Sequence, residues 1–330
     1  MRVTMQMRVV FVVALVATGA LAAEAAGGSG AAYPNRPIRY VLPQGPGSNA
    51  DIFTRIIAKY LGEELGQQVI VDTRPGAGGM LGIDIASKAA PDGYTIARGN
   101  LPALAIAPHV YKKMPYDALT DLLPVSLTDT GQNLLCVHPS VPATSVQQLI
   151  TLLKAKPGEY TMASAGVASG GHLAAALFSV MAGISSTHVP YKSAGAAMLA
   201  VVSNEAQWTF ASIGAPLPHV RAGRLRALAV SDTKRAPQLP DIPTAAEAGV
   251  PGYQSSNWAG IVVPKGTPQG IITKLNAAIM KVLGTPEAKE KFLSQGAEAS
   301  PSTPEEFRRL IRADYDRIAQ VAKIAKLTVD

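Results

Sequence analysis

The sequence contains a single cysteine among its 330 residues, Cys136 in the apolar run NLLCVHPS. One cysteine cannot form an internal disulfide, and a fold of this size does not need one. No cysteine lies near the N-terminus, which excludes a lipid-attachment site there. The apolar, strand-like surroundings predict that Cys136 is an ordinary core residue.

Long hydrophobic runs are also missing, except at the N-terminus. Residues 1–25 combine the positive Arg2 and Arg8 with an apolar run of 13 residues, Val9 to Leu21, and small residues after it. This is the build of a cleaved signal peptide, and the apolar run is short for a membrane span, which needs about 20 residues. An uncleaved anchor is the alternative. Residues 26–32 are typical of a flexible leader, so we expect a periplasmic mature chain that does not insert into the membrane.

Charged residues are few, 16% of the chain, and the basic ones are scattered. The formal net charge is +7, and it falls to +6 when Arg2, Arg8 and Glu24 leave with the signal peptide. Such a balance attracts small anions at long range. The scatter of basic residues and the export signal are not typical of nucleic-acid binding, so we expect no nucleic-acid partner.

Strand-like and helix-like patterns alternate through the mature chain, which predicts an α/β fold with mostly parallel sheets. The run IRYVL predicts a strand before the helix ADIFTRIIAKYLGEEL, and PVSLTDTGQNLLCVH predicts two strands or one long, bent strand. Two residue pairs predict capping boxes at helix starts: Thr144 with Gln147, and Thr303 with Glu306.

Three glycine-containing loops each follow a predicted strand and precede a predicted helix: PQGPGSNAD, RPGAGGMLG and SAGVASGGH. Glycine lets the backbone approach a ligand closely, and a helix N-terminus offers unpaired N–H groups and partial positive charge. Open α/β sheets bind ligands beyond the carboxyl ends of their strands. The loops therefore predict a site where uncharged amide groups hold a carboxylate, with no arginine or metal required. The alternative is that they are only tight turns.

The spacing of the other motifs disfavours catalysis and cofactor binding. The glycines of GAGGMLG miss the G-x-G-x-x-G pattern, and no acidic residue ends a strand about 20 residues later. The five histidines form no H-x-x-x-H or H-E-x-x-H motif. Ser164 and Ser169 do not lie in G-x-S-x-G. We expect no cofactor, no metal and no catalytic residue, with an exported hydrolase as the lesser alternative.

Blocks in order along the chain resemble the tripartite tricarboxylate transporter family of solute receptors, the Bug or TctC type: YPNRPIRYVLP, LGQQVIVDTRPGAGGMLGIDIASKAAPDGYT, HVPYKSAGAA and LPDIPTAAEAGVPGY among them. The resemblance implies a type II periplasmic binding fold, a Venus flytrap of two α/β domains with a ligand cleft between them. It implies domain 1 at residues 33–130 plus 254–330 and domain 2 at residues 131–253. It also implies that the three glycine loops lie near this cleft.

The resemblance implies a function as well. A monomeric receptor would close around a small organic carboxylate and deliver it to integral membrane transporter subunits, without enzymatic activity. Signalling to a membrane sensor kinase is the alternative. The sequence does not choose among mono-, di- and tricarboxylates, acidic amino acids and aromatic acids.

In such receptors two loops hold the ligand carboxylate through main-chain and small hydroxyl groups. Here Asp51 is expected to organise the N–H groups of the first loop, or simply to cap the helix. The chain departs from the family pattern at Gly47–Asp51, at Ser193 and at Trp208. We expect Trp208 to pack in the core or at a sheet edge, with a stacking platform for the ligand as the alternative. Lys192 is a further wall candidate. The expected ligand-binding residues are Gln44, Gly45, Pro46, Gly47, Ser48, Asn49, Ala50, Asp51, Asn100, Ser164, Ala165, Gly166, Ser169, Gly170, His172, Tyr191 and Ser212.

Overall fold

The computed structural model describes residues 33–324 and Leu327, so the predicted signal peptide and leader lie outside the described residues. In this part of the chain the strands are β1 (Ile38–Leu42), β2 (Val69–Thr73), β3 (Thr95–Asn100), β4 (Leu122–Val137), β5 (Thr161–Ser164), β6 (Thr187–Pro190), β7 (Trp208–Ser212), β8 (Arg226–Val230), β9 (Ser256–Pro264) and β10 (Ala297–Ala299).

The α-helices of the same residues are α1 (Asn49–Leu65), α2 (Met80–Ser87), α3 (Ala107–Val110), α4 (Val146–Ala155), α5 (Gly170–Ala182), α6 (Ala194–Val202), α7 (Leu217–Arg221), α8 (Gln269–Leu283), α9 (Pro286–Ser294) and α10 (Pro304–Ile324). A 3₁₀ turn spans Ala77–Gly79, and a π-helical turn spans Pro102–Ile106. None of the helices that the structure describes combines the length and hydropathy needed to cross a bilayer.

The strands form a sheet in the order β2-β1-β3-β9-β4-β7-β5-β6, and β8 and β10 also pair with β4. Pairing is parallel among β1, β2 and β3 and among β5, β6 and β7. Every pairing that involves β4 or β9 is antiparallel. The expectation of mostly parallel sheets is therefore wrong in detail, because β9 returns from a distant part of the chain to lie between β3 and β4.

The predicted long, bent strand is confirmed as β4, which has 16 residues. From Leu122 to Gln132 it pairs with β9, and from Asn133 onwards it pairs with β7. Its register against β9 shifts at two irregular points, after Pro124 and after Leu127. One strand therefore runs through both the group of strands around β1 and the group around β5.

Separate apolar clusters pack against these two groups. Phe307 and Ile318 of α10 lie in a cluster with Ile83 of α2, whereas Trp208 and Phe178 lie in another with β4 and α4 side chains. Trp208 is fully buried and donates from Nε1 to Ser186 Oγ at 3.2 Å, which confirms it as a core residue. Cys136 is also fully buried. Burying a large apolar side chain such as Phe178 or Ile318 contributes about 1.5–3 kcal/mol to the free energy of unfolding.

One of the two predicted capping boxes is correct. At the start of α10, Glu306 N donates to Thr303 Oγ1 at 3.2 Å, and Glu306 Oε2 accepts from Thr303 N at 2.9 Å. The box predicted for Thr144 and Gln147 is wrong by one residue. At α4 the capping hydroxyl belongs to Ser145, and Gln148 Oε1 accepts from Thr144 N at 2.7 Å. Two adjacent hydroxyl residues made both positions possible, and the helix begins after the second.

Candidate functional site

Three helix N-termini open onto one cavity. Helices α1, α5 and α6 follow β1, β5 and β6, and each begins after a serine: Ser48, Ser169 and Ser193. Each serine hydroxyl accepts a hydrogen bond at 3.2 Å from the N–H three residues later. The first two residues of each helix line the cavity, namely Asn49, Ala50, Gly170, Gly171, Ala194 and Gly195. Their N–H groups belong to the helix positions that have no acceptor within the helix.

The cavity has a volume of about 420 Å³, which falls in the range of small-molecule sites. Its walls combine apolar side chains such as Phe53, Met198 and Trp258 with uncharged polar ones, including Asn100 and Ser212. A larger cavity of about 520 Å³ lies elsewhere, between α10 and the first half of β4. The helix N-termini do not line that second cavity, so volume alone does not identify the site.

The first loop is organised by Asp51. Its Oδ2 accepts a hydrogen bond from Gly47 N at 3.0 Å, and its Oδ1 accepts one from Arg55 Nε at 2.8 Å. Ser48 Oγ donates to Gly45 O at 2.8 Å. Asp51 therefore organises a loop N–H group, as expected, while Ser48 is the cap. The Gly47 N–H is used inside the loop, which leaves the N–H groups at the start of α1 to face the cavity.

The second loop rests on a pair of histidines. The rings of His172 and His188 stack with centroids 4.0 Å apart, and His172 Nδ1 accepts from Ala168 N at 3.3 Å. Ser164 Oγ lies 2.7 Å from His188 Nε2 and also bonds the main chain of Gly166. Burial, together with the neighbouring His188, lowers the pKa of His172 to about 4. His172 is therefore neutral near pH 7 and can accept the Ala168 N–H.

The structure brings ten of the predicted site residues to the cavity wall and leaves seven away from it. Those that line the cavity are Gln44, Gly47, Ser48, Asn49, Ala50, Asn100, Ala165, Ser169, Gly170 and Ser212. Those that do not are Gly45, Pro46, Asp51, Ser164, Gly166, His172 and Tyr191. Asp51, Ser164, Gly166 and His172 instead make the hydrogen bonds that shape the two loops.

The loop RPGAGGMLG is a correction to the sequence analysis, because its residues do not line the cavity. It packs behind the first loop: a Cβ at Gly82 would lie 2.8 Å from Pro43 Cβ, and one at Gly79 would lie 3.5 Å from it. The third N-terminus at the cavity belongs to α6 instead. Its start, Ser193-Ala194-Gly195, lies in the block HVPYKSAGAA, directly after the short strand β6.

An ion pair that was not predicted from the sequence also lies in the cavity wall. Arg98 Nη2 donates to Asp129 Oδ2 at 2.7 Å, and both side chains are more than nine-tenths buried. Burial is the largest single influence on Arg98 and opposes its charge, but Asp129 and the buried Tyr40 together outweigh burial and raise the pKa of Arg98. The residues lie 31 positions apart on β3 and β4, so no local motif could reveal their contact.

The described residues do not form a metal centre or a serine-hydrolase site at the cavity. Among them, no group of three or more His, Cys, Asp or Glu side chains could hold a metal ion. The contact between Ser164 and His188 resembles a nucleophile and base, but Ser164 is 2% exposed and lies outside the cavity wall. Its hydroxyl is engaged by the Gly166 main chain.

The fold is that of the periplasmic binding proteins. A solved structure described as a periplasmic transporter superposes with a TM-score of 0.84 at 34% identity, covering 91% of this chain and all of the other. The chain belongs to the tripartite tricarboxylate transporter family receptors, whose sequence profile matches residues 53–327.

Individual relatives agree with this membership. The chain is 36% identical over 292 residues to Protein BugT of Bordetella pertussis, covering 88% of this chain and 90% of BugT. R. palustris Rpa4515, solved with adipate, matches with a TM-score of 0.85 at 35% identity, covering 90% and 100% of the two chains. MatC of Rhodopseudomonas palustris, solved with bound malate, matches with a TM-score of 0.81 at 28% identity, covering 88% and 99%.

Proposed function

We propose that the protein is a periplasmic solute receptor that binds a small organic carboxylate in the 420 Å³ cavity and delivers it to the membrane subunits of a tripartite tricarboxylate-type transporter. The observation that carries this proposal is the convergence of the α1, α5 and α6 N-termini on one cavity. Family membership supports the receptor role, and the similar proteins solved with adipate and malate support the ligand class.

The carboxylate would be held by main-chain N–H groups rather than by a cation. A helix N-terminus stabilises a nearby anion by about 0.3–1 kcal/mol, and by up to about 2 when the geometry is partly buried. Each hydrogen bond to a charged group adds about 1.5–3 kcal/mol. The missing side chain at Gly195 leaves its backbone open to an anion, whereas Gly170 and Gly171 allow the start of α5 to pack closely against Asn257 and Phe210. The two capping serines Ser48 and Ser169 line the same wall.

Binding would close two domains, with residues 33–130 plus 254–330 in one and residues 131–253 in the other. The pairing of β4 supports this division, since the strand changes partner from β9 to β7 between Gln132 and Asn133. The cavity draws its wall from both groups of strands, so a bound ligand would favour the closed arrangement. That population shift is what a transporter can recognise. Receptor function needs one protomer and no chemical step.

Delivery from the periplasm requires export. Residues 1–25 have the features of a cleaved signal peptide, which supports a mature chain that begins before Tyr33 and is released from the membrane. Mass spectrometry of the protein recovered from a periplasmic fraction would identify its N-terminus. A chain that retains Met1 and stays with the membrane fraction would contradict this part of the proposal.

Calorimetric titration with carboxylates, sugars and organic cations tests the ligand class. A ligand present at a hundred times its Kd stabilises the folded state by about 2.7 kcal/mol, so a thermal-shift screen can select the compounds. We expect carboxylates alone to raise the melting temperature. Binding of sugars or cations without any binding of acids would overturn the proposal.

The Ser48→Asp variant tests the site. Aspartate caps a helix as well as serine does, but at Ser48 its negative charge would lie in the cavity wall and repel a carboxylate. We expect folding to be retained and carboxylate binding to be lost. Ser145→Asp is the matched control, because Ser145 caps α4 in the same way and does not line the cavity. Equal affinities of both variants would show that the ligand lies elsewhere.

A further inference from the structure

The Arg98–Asp129 pair is distinctive among the residues that line the cavity. No other ionisable side chain lies among the described lining residues. The two groups are joined at 2.7 Å and are 4% and 8% exposed at their side chains. Their charges therefore cancel within the wall formed by β3 and β4, and water does little to screen them there.

The acceptor oxygens of the pair are engaged inside the protein. Asp129 Oδ2 accepts from Arg98, and Asp129 Oδ1 accepts from Thr128 Oγ1 at 2.7 Å. The wall keeps a spare donor instead. Asn133, which also lines the cavity and is 1% exposed, has a buried Nδ2 without a hydrogen-bond partner among the described residues. Arg98 lies beside the buried Tyr40 hydroxyl as well as Asp129. A buried donor without a partner favours a ligand that brings an acceptor.

A second carboxylate on the ligand would meet an unfavourable charge at this wall. It would be attracted by Arg98 but repelled by the Asp129 carboxylate, and it would lose its own hydration on entering the cavity. A neutral oxygen, such as a hydroxyl or carbonyl, loses far less hydration free energy on entering the cavity. It can still accept a hydrogen bond from Asn133 Nδ2. The helix N-termini remain the part of the wall that favours a full negative charge.

We propose that Arg98 and Asp129 are specificity-determining residues, which make the receptor select acids with one carboxylate and an uncharged, oxygen-bearing end. The selection rests on the proposed function, since it assumes that a carboxylate occupies the cavity. Asp129 is the residue that enforces it: its charge cancels an arginine that would otherwise attract a second anionic group.

Six-carbon acids of matched length test the selection by isothermal titration at pH 7.5. The probes are hexanoate, 6-hydroxyhexanoate and adipate, which differ only in the group at the far end. We expect the wild-type protein to bind 6-hydroxyhexanoate at least about tenfold more tightly than adipate. Tighter binding of adipate would overturn the inference while leaving the proposed function intact. Failure of all three acids, and of other carboxylates, would refute the proposed function itself.

The Asp129→Asn variant should release the charge of Arg98 into the cavity. We expect the ratio of adipate affinity to 6-hydroxyhexanoate affinity to rise by about tenfold or more. Asp72→Asn is the matched control, because Asp72 also pairs with an arginine of the neighbouring strand, Arg39 Nη2 at 2.6 Å, but does not line the cavity. It should keep the wild-type ratio.

An unpaired Arg98 could impair folding, so a double variant gives a second test. Arg98→Gln combined with Asp129→Asn makes the wall neutral again, and we expect the wild-type order of preference to return. Circular dichroism checks the fold of each variant. A double variant that prefers adipate as strongly as the single one would overturn the inference. The inference would also be overturned if both variants kept the wild-type ratio of adipate affinity to 6-hydroxyhexanoate affinity, because the pair would then have only a structural role.

Discussion

Gly47 has a backbone angle that only glycine adopts readily. Its φ is +75°, and a Cβ built on it would meet nothing within 4 Å. A side chain there would therefore cost backbone strain without a steric clash. The angle also directs the Gly47 N–H to Asp51, and this contact sets the shape of the loop in front of α1.

Gly47→Ala should destabilise the protein by about 1–2 kcal/mol, the cost of a left-handed conformation for an ordinary residue. Carboxylate affinity should fall as well, because the loop can relax away from the cavity. Chemical denaturation and calorimetric titration measure the two effects. Gly45→Ala is the matched control: its Cβ also meets nothing within 4 Å, and its φ is not in the positive range. Equal effects of the two variants would contradict this account.

The lowered pKa of His172 predicts that the stability of the folded protein depends on pH. Burial and the neighbouring His188 lower its pKa to about 4, against about 6.5 in an unfolded chain. The unfolded state therefore binds more protons between these values, so stability is full above pH 6.5 and is lost as pH falls towards 4. The loss attributable to His172 reaches about 3 kcal/mol, since one pKa unit corresponds to 1.36 kcal/mol.

Urea denaturation between pH 4 and pH 7 measures this loss. His172→Asn keeps an acceptor for the Ala168 N–H but does not titrate in this range, so its stability should fall less steeply with acid. His138→Asn is the matched control at a histidine outside the stacked pair. A His172→Asn profile as steep as that of the wild type would show that other groups cause the acid sensitivity.

At the scale of elements, α6 gives a direct test of the third N-terminus. Ser193→Ala removes the hydroxyl that accepts from Ala196 N at 3.2 Å, which should cost about 1 kcal/mol of stability. It should also weaken carboxylate binding, because Ala194 and Gly195 at the cavity wall lose their fixed orientation. Ser145→Ala removes the equivalent cap of α4, with the same 3.2 Å bond.

The pair of variants separates folding from binding. Both should lose a similar amount of stability by denaturation, but only Ser193→Ala should lose affinity by titration. Unchanged affinity in Ser193→Ala would mean that α6 takes no part in holding the ligand, and the site would then depend on α1 and α5.

The elements also show what could be predicted from sequence. The loops before α1 and α5 were recognisable because glycines, a capping serine and an apolar periodicity lie together in short segments. The contact between Arg98 and Asp129 could not be predicted in this way. It depends on β9, which lies between β3 and β4, and no local sequence pattern gives the register of these three strands. Likewise RPGAGGMLG has the composition of a ligand loop, but Gly82 is needed for close packing against Pro43.

At the scale of the whole molecule, net charge and site charge are separate properties. The formal charge of +7 is spread over the chain, whereas the ionisable groups of the cavity wall cancel each other. Long-range attraction should therefore act on the approach of an anion, and short-range hydrogen bonds should hold it afterwards.

Salt should accordingly slow association more than it speeds dissociation. Raising the ionic strength from about 0.01 to 1 M shortens the Debye length from about 30 to 3 Å, which screens the approach but leaves buried contacts nearly unchanged. Stopped-flow fluorescence of Trp258, which lines the cavity, can follow both rates. If raising the ionic strength increases the dissociation rate as much as it decreases the association rate, exposed charges hold the bound ligand.

The position of β9 also bears on when this chain can fold. β9 occupies the middle of the sheet, between β3 and β4, but it is formed by Ser256–Pro264. During translation, β3 and the first half of β4 are therefore synthesised well before β9, the strand that lies between them in the sheet. Until then both edges lack a neighbour, and the first part of the chain cannot settle into its final arrangement. Because this pairing joins segments far apart in the sequence, we expect the middle of the sheet to form late in folding.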